Sequence, residues 1–159
     1  MSGIALARLG EERKNWRKDH PAGFYARPVK NTDDSMNMMV WETGIPGKEG
    51  TDWEGGVYTV RLTFSKDYPT KPPTCCFTPP IYHPNVFTSG DICLSILKEE
   101  DGWRPAITIK QILMGIQDLL TSPNIRSPAN CAASDLFSKK PAEYKKKIKQ
   151  QAAKFIVDT

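Results

Sequence analysis

Residues 82–97 carry the side chains of this sequence that are best suited to chemistry. Within eleven of these residues lie one imidazole, His83, one carboxamide, Asn85, two hydroxyls and one thiol, Cys93. A proline-rich run precedes the stretch and a helical pattern follows it. Functional groups are commonly carried on loops that regular elements hold in place. We therefore treat residues 82–97 as the candidate active loop.

The thiol of Cys93 is consistent with three kinds of function. In a thiol hydrolase, His83 would be its base, but that chemistry needs a third, orienting group, and no papain-like or caspase-like signature surrounds the cysteine. In a binding module, Cys93 would be a small buried hydrophobe. In an acyl carrier, it would hold an acyl group as a thioester for transfer to an amine, with the amide N–H groups of Asn85 as donors to the developing oxyanion.

The composition indicates a single globular domain that spans residues 1–159. The chain is 39% hydrophobic and 25% charged, and it is long enough to bury a core that needs no disulfide or metal ion to stabilise it. We expect no secretion signal, lipid anchor or membrane span. The net charge is +4, and its basic residues are not interleaved with aromatics. Specific nucleic-acid binding is therefore weakly supported, and a protein partner with an acidic patch accounts for the charge equally well.

The four cysteines are predicted to be free thiols in a reducing compartment. None belongs to a Cys-x-x-Cys pair, and no export signal is expected. Cys75 and Cys76 are adjacent, so they point to opposite faces of a strand. A metal site built from these two residues with His83 and Cys93 is disfavoured for that reason.

The hydrophobic periodicity predicts an α+β fold, in which helices cover a four-stranded antiparallel meander. Ser2 is a plausible N-cap of the first helix, and Thr108 with Gln111 forms a capping box for a later one. Pro141 suits the first turn of the last helix. The predicted elements are a helix at 2–19, extended chain at 24–46 with a turn at 31–34, strands at 57–64 and 74–77, the active loop, a helix from 108 to 121, a short helix at 130–138 and a final helix from 141.

The motifs around the active loop resemble those of ubiquitin-conjugating enzymes, and the match covers essentially the whole chain. They are His83-Pro84-Asn85, Cys93 eight residues after the asparagine, Leu94-Ser95-Ile96-Leu97, Trp103-Arg104-Pro105-Ala106, Ile107-Thr108-Ile109, and Tyr68-Pro69-x-x-x-Pro72-Pro73 with Phe77. Within that superfamily the sequence is most similar to the SUMO-conjugating enzymes. This similarity is carried by residues 1–6, residues 16–21, the longer loop 45–56 and the enlarged acidic loop at 98–102.

The resemblance implies the fold of that superfamily and a specific chemistry. Cys93 would form a thioester with the C-terminal glycine of SUMO, and a substrate lysine would then attack it to give an isopeptide bond. The same chemistry with ubiquitin or another modifier is the alternative. The activating enzyme uses the ATP, so no cofactor or metal is implied on this chain. Asn85 matches the family asparagine that supports the loop and stabilises the oxyanion.

The residues expected to activate the substrate amine differ from the usual family pattern. A lysine with a solution pKa of about 10.4 is almost entirely protonated at neutral pH, so the site must orient or desolvate the amine. The family's tyrosine and aspartate for this task fall on Phe87 and Ser127, which keep an apolar wall but supply neither the phenol nor the charge. Asp91, two residues before Cys93, is the candidate that would compensate.

Substrate recognition departs from the pattern as well. The family recognises an acidic residue two positions after the target lysine, partly through lysines that fall here on Thr74 and Cys76. We therefore predict weak discrimination for that acid. The candidate substrate contacts are Phe87, Ser89, Glu100, Asp101, Pro128, Ala129 and Asn130.

The resemblance also implies partners for the first helix. Its basic face would bind the heterodimeric activating enzyme and a second, non-covalently held modifier, and the candidate residues of this basic face are Arg13, Lys14, Arg17 and Lys18, with His20. Ligases dock in relatives at positions that correspond to Ile4, Tyr25 and Val57, although each of these could equally be a packing residue. The location implied is the nucleus and the cytoplasm.

Overall fold

The computed structural model describes residues 3–156 and has the α+β architecture that the sequence predicts. Ser2, the predicted N-cap, lies outside the described residues. Within those residues, no helix is both long and apolar enough to cross a bilayer. In chain order the elements are α1 (Gly3–Lys18), β1 (Tyr25–Lys30), β2 (Met36–Pro46), β3 (Val57–Thr63), β4 (Thr74–Phe77), a 3₁₀ helix (Ser95–Leu97), α2 (Ile109–Thr121), α3 (Cys131–Lys139) and α4 (Pro141–Lys154).

The four strands form the predicted antiparallel meander, in the order β1-β2-β3-β4. Strand β3 shows why the sheet has one buried face, because Tyr58, Val60 and Leu62 are buried while Arg61 and Thr63 are exposed. Side chains alternate between the faces of a strand, so this pattern buries one face and leaves the other in solvent. Helices α1 and α2 both contact β2, and the main core lies between helices and sheet.

Helix α1 is attached to α2 through a buried acidic residue. Glu12 is 5% exposed, and its carboxylate accepts hydrogen bonds from the Ile109 N–H and from Arg8 Nε, both at 2.9 Å. Arg8 also donates to the carbonyl oxygens of Pro105 and Ile107. The first N–H groups of a helix have no partner within it, and a negative charge is favourable there. Glu12 therefore caps α2 from a distant part of the chain.

Helix α2 begins with the capping box that the sequence predicts. The Thr108 hydroxyl accepts from the Gln111 N–H at 3.1 Å, and the Gln111 side chain accepts from the Thr108 N–H at 2.9 Å. Its apolar stripe is fully or nearly fully buried, which anchors the helix in the core. The residues of this stripe are Ile109, Ile112, Leu113, Ile116, Leu119 and Leu120.

The two C-terminal helices also match the prediction. Asn130 caps α3 with its side chain, and Pro141 stands in the first turn of α4, where its missing N–H costs nothing. Tyr144, Ile148 and Ala152 form the buried stripe of α4.

Candidate active site

A short hairpin beside the sheet edge carries the residues that precede Cys93. Val86 and Ile92 pair in an antiparallel bridge, and the Phe77 N–H of β4 donates to the Gly90 carbonyl at 2.8 Å. Gly90 has a φ of +99°, and a Cβ there would lie 2.3 Å from the Phe77 carbonyl oxygen. Only glycine fits such a close approach with a positive φ. The turn of the hairpin is therefore fixed against β4.

Cys93 is half-buried and lines a cavity of about 310 Å³, which we call the thiol cavity. The Cys93 N–H donates to the Asn85 carbonyl at 2.8 Å, so the backbone of the cysteine is fixed to the buried part of the active loop. A partly accessible thiol beside a cavity agrees with the acyl carrier and disagrees with the buried hydrophobe of a binding module. The charged or polar residues that line the cavity include Lys98, Asp101, Asp118, Ser122, Asn124 and Ser127.

His83, the base of the thiol-hydrolase hypothesis, is completely buried. Its Nε2 lies 2.8 Å from the Leu119 carbonyl oxygen, and its Nδ1 lies 2.9 Å from the Asn85 N–H. The carbonyl can only accept and the N–H can only donate, so Nε2 carries the proton and Nδ1 accepts. Burial lowers the pKa of His83 to about 4, although the bond to Leu119 opposes the shift. The imidazole is neutral and joins the active loop to α2, which removes the basis for the hydrolase hypothesis.

Asn85 is also completely buried, and its carboxamide makes three hydrogen bonds. Nδ2 donates to the carbonyl oxygens of Asn124, at 2.7 Å, and Ser127, at 3.1 Å. Oδ1 accepts from the Asn124 N–H at 2.8 Å. This geometry is that of a residue that supports the loop at 124–127. Donation to an oxyanion would require one of the two N–H groups to change partner, so that role of Asn85 stays a prediction.

Residues 127–130, which contain several predicted contacts, are bonded to the active loop. The N–H groups of Ala129 and Asn130 both donate to the Pro84 carbonyl, at 2.7 and 3.0 Å. Ser127 lines the thiol cavity. The side-chain oxygen of Asn130 accepts from the first turn of α3, so its amide oxygen is engaged in the helix cap. Pro128 is exposed beside them.

Phe87, Ser89 and Asp91 lie on the exposed turn of the hairpin. Phe87 is 46% exposed, so its ring is available as an apolar wall. The Ser89 hydroxyl donates to the Asp91 carboxylate at 3.1 Å. The pKa of the Cys76 thiol is raised by burial and, secondarily, by Asp91. The carboxylate thus interacts with Ser89 and Cys76, and Asp91 is not among the described residues that line the thiol cavity.

The structure places the Asp91 carboxylate beside Ser89 and Cys76, and its role in compensating for the missing acid at position 127 stays a prediction. A spacing of two residues places side chains on one face only in a regular strand. Asp91 instead forms an isolated bridge with Cys76 immediately after the turn at Gly90. Its carboxylate is engaged beside β4, away from the cavity lining.

The acidic loop contributes unequally to the site. Asp101 lines the thiol cavity, whereas Glu100 is exposed and is not among the described lining residues. Both remain predicted substrate contacts, and Asp101 alone is brought close to the cysteine.

Two charged residues in the cavity escape the sequence analysis. Asp118, on α2, forms an ion pair with Lys48, and it reaches the site only through the tertiary fold. Lys98 reaches the cavity through the turn of the 3₁₀ helix. Its position five residues after Cys93, across that single turn, is the signal that could have identified it.

The basic face of α1 presents charges that no carboxylate in the described part of the chain neutralises. Among residues 3–156, none of its cations at positions 13, 14, 17 and 18 lies within 4 Å of a carboxylate oxygen. His20 differs from them, because its Nδ1 donates to the Trp16 carbonyl at 2.9 Å and its ring stacks on that tryptophan. His20 therefore bonds a carbonyl near the C-terminal end of α1 in addition to contributing to the basic face.

The three predicted ligase contacts have different surroundings. Ile4 is 75% exposed and is available to a partner. Tyr25 is half-buried beneath the guanidinium of Arg27, at 4.7 Å from the ring centre. Val57 is half-buried, and its N–H donates to the Phe155 carbonyl. Tyr25 and Val57 therefore have packing roles in addition to any docking role.

The cysteines are all free in the structure. Cys75 is buried, and burial raises the pKa of its thiol well above the ordinary value. Cys76, next to it, is half-buried, in agreement with side chains on opposite faces of β4. In the part of the chain that the structure describes, no three His, Cys, Asp or Glu side chains are grouped closely enough to hold a metal ion.

A half-buried thiol on a cavity, with the neighbouring imidazole engaged elsewhere, is the geometry of an acyl carrier rather than a hydrolase. The chain belongs to the ubiquitin-conjugating enzyme family, whose model matches residues 8–152. It is 53% identical over 158 residues to the SUMO-conjugating enzyme UBC9 of Caenorhabditis elegans, across 99% of this chain and 95% of that protein. It is 57% identical over 152 residues to the Sumo-conjugating enzyme ubc9 of Dictyostelium discoideum, across 96% of each.

Proposed function

We propose that this chain is a SUMO-conjugating enzyme, which accepts SUMO as a thioester on Cys93 and transfers it to substrate lysines. The observation that carries the proposal is the half-buried Cys93 on the thiol cavity, beside a His83 that is neutral and bonded through both nitrogens. A thioester carrier must resist water and react with an amine. A site that has no free imidazole to activate water favours this outcome. The two SUMO-conjugating relatives favour SUMO over ubiquitin as the modifier.

The proposed reaction has two transfers on the same sulfur. In the first, the Cys93 thiolate attacks the thioester that the activating enzyme carries, and the cysteine of that enzyme leaves as a thiolate. In the second, a neutral lysine amine attacks the carbonyl carbon on Cys93, the C–S bond breaks as the isopeptide bond forms, and Cys93 leaves as a thiolate that takes up the proton lost by the amine. The activating enzyme uses the ATP, so we assign no cofactor to this chain.

We assign the partners to separate surfaces. The uncompensated basic face of α1 suits the heterodimeric activating enzyme and a non-covalently bound SUMO, because long-range attraction speeds such encounters. Exposed Ile4 suits a SUMO ligase. We assign Phe87, Ser89 and residues 127–130 to the surface that meets substrate proteins. The nucleus and the cytoplasm are the proposed locations.

A charging assay tests the function. The chain is incubated with ATP and each activating enzyme with its own modifier, and the products are separated on non-reducing gels. We expect an adduct with SUMO only, sensitive to thiol reagents and absent in Cys93→Ala. The matched control Cys131→Ser, an exposed cysteine outside the cavity lining, should charge normally. An adduct with ubiquitin alone would contradict the assignment of SUMO as the modifier. The absence of an adduct with every modifier would contradict the conjugating-enzyme function itself.

The basic face has its own test. The double variant Arg13→Glu/Arg17→Glu should slow charging about tenfold at low salt, and the defect should shrink as salt screens the interaction. The variant Lys145→Glu/Lys146→Glu changes net charge equally on α4 and should charge at the normal rate. Equal defects in the two variants would show that overall charge, and not this face, drives the encounter.

A further inference from the structure

A second cavity lies between helix α4 and the start of the active loop. Its volume is about 570 Å³, and we call it the α4 cavity. Its apolar part is formed by Pro79, Pro80, Tyr82 and Phe155. None of its described lining residues belongs to α1 or lines the thiol cavity. A molecule held here would therefore leave both of those surfaces free.

Gln151 of α4 fixes the floor of the α4 cavity. Its Oε1 accepts from the Tyr82 N–H at 2.6 Å, and its Nε2 donates to the Tyr82 carbonyl at 3.3 Å. Tyr82 is half-buried, and the next residue, His83, is completely buried. One side chain thus satisfies both backbone groups of Tyr82, so the floor is already ordered before anything binds. Binding to an ordered surface avoids part of the entropic cost of association.

The charged groups that line the α4 cavity are positive. Lys147 and Lys154 are exposed, and among residues 3–156 no carboxylate oxygen lies within 4 Å of either Nζ. The Lys147 Nζ lies 4.9 Å from the centre of the Tyr82 ring. No acidic residue is among the described lining residues. An apolar floor beside two unpaired cations is complementary to a segment that carries acidic and apolar side chains together.

We infer that the α4 cavity binds a segment of a partner protein in which two acidic residues flank apolar ones. Lys147 and Lys154 are seven residues apart on one helix, which places them about 10 Å apart along its axis. An extended chain rises about 3.3 Å per residue, so acidic residues three positions apart match that spacing. The two apolar residues between them then lie over Tyr82 and the prolines.

A nucleic acid matches this surface less closely than an acidic peptide does. Single strands are held by rows of cations that follow the phosphates and by aromatic rings that are open to the bases. Two cations are among the described lining residues, and the ammonium of Lys147 covers one face of the Tyr82 ring. Pro79 and Pro80 have no N–H that could bond to a phosphate. The observations therefore favour a peptide, and a nucleic acid is the competing outcome of the test.

Fluorescence anisotropy on the full chain tests the inference. The probe is a labelled peptide with the core Glu-Leu-Trp-Glu between flexible Gly-Ser ends. We expect saturable binding that weakens as salt rises and that falls at least tenfold in Lys147→Glu/Lys154→Glu. The matched control is Lys145→Glu/Lys146→Glu, which changes the net charge equally outside the described cavity lining. It should bind the probe within about threefold of the unmodified sequence.

Control ligands separate the charged contacts from the apolar one. A peptide with the core Lys-Leu-Trp-Lys should not bind, and one with the core Glu-Ser-Gly-Glu should bind at least fivefold more weakly than the probe. Equal losses in the two lysine variants, or no saturable binding with millimolar peptide, would overturn the inference. Tighter binding of a uridine oligonucleotide, lost in Lys147→Glu/Lys154→Glu, would assign the surface to nucleic acid instead. Slower thioester charging in the presence of the peptide would show that it occupies α1 or the thiol cavity.

Discussion

The two halves of the active loop have opposite environments. His83, Asn85 and Val86 are completely buried, and the polar side chains of the first two make hydrogen bonds to α2 and to the segment at 124–127. Phe87, Ser89 and Asp91 are exposed, and the Asp91 carboxylate accepts a hydrogen bond from the neighbouring Ser89 hydroxyl. The polar groups of the buried half set the position of Cys93, and the exposed half is what a substrate meets. The chemical type of a side chain alone therefore does not identify its role in the active loop. Its burial must be known as well.

The largest expected effect comes from the buried half. Asn85→Ala removes the partners of two backbone carbonyls and one N–H, and a buried polar group without a partner costs about 1–3 kcal/mol. We expect the free energy of unfolding to fall by about 3 kcal/mol and transfer from a preformed thioester to slow about a hundredfold. Urea unfolding and single-turnover transfer measure the two effects.

The same variant separates the two roles of Asn85. Asn15→Ala, at an exposed position on α1, is the control and should change stability by less than about 0.5 kcal/mol. A large loss of transfer without loss of stability would contradict the supporting role and point to direct oxyanion stabilisation.

The second effect is a pH dependence from His83. Its folded-state pKa of about 4 lies below the ordinary value of 6.5, so between these values the unfolded chain binds more protons than the folded one. Stability from this group is complete above about pH 6.5 and decreases as the pH falls towards 4. One pKa unit corresponds to about 1.4 kcal/mol, so the loss between pH 7 and pH 5 is about 2 kcal/mol.

Denaturant unfolding at the two pH values measures that loss. His83→Gln cannot titrate in this range and should show about 2 kcal/mol less pH dependence than the unmodified sequence. An identical pH dependence in the two proteins would mean that His83 is not neutral in the folded state.

A neighbouring pair of residues tests the boundary between the halves. Val86 is completely buried and Phe87 is 46% exposed. Val86→Ala should cost about 1.5 kcal/mol of stability, and Phe87→Ala should cost less than about 0.5 kcal/mol while slowing transfer to substrate several-fold. Equal stability losses, measured by urea unfolding, would place the boundary elsewhere.

The smallest effect is expected at Asp91. Its carboxylate interacts with Ser89 and Cys76, so Asp91→Asn should leave single-turnover transfer within about twofold and stability within about 0.5 kcal/mol. Ser127→Ala, at a position that lines the thiol cavity, provides the comparison. A tenfold loss of transfer in Asp91→Asn alone would support the hypothesis that Asp91 helps to activate the amine.

The elements of the fold follow from local patterns in the sequence. The alternation in β3, the capping box at Thr108 and Gln111, and the proline in the first turn of α4 each depend on residues a few positions apart, and the strand, the cap and the helix start lie where the sequence predicts them. Of the predicted site residues, Cys93, Asp101 and Ser127 meet at one cavity. The resemblance supplies all three residues, and the hydrogen bond from Asn85 Nδ2 to the Ser127 carbonyl holds the last of them beside the active loop.

The features that could not be predicted from the sequence depend on contacts between residues that are far apart in the chain. Glu12 looks like an ordinary helix-surface acid, because its partner Ile109 lies 97 residues away. Asp118 enters the cavity only because α2 packs behind the active loop. The interaction of Asp91 with Cys76 depends on the tight turn at Gly90 before Cys93, and not on a regular strand. No local periodicity carries any of these three facts.

The contact between Glu12 and Ile109 makes α1 unsuitable for deletion experiments. A truncation that removes the first turns of α1 to abolish partner binding would also strip α2 of a carboxylate that bonds its first N–H group, and would release Arg8 from the carbonyls of Pro105 and Ile107. Such a protein would lose activity for reasons that have nothing to do with its partners. Genetic or biochemical studies of this surface should therefore change single exposed side chains and leave the helix intact.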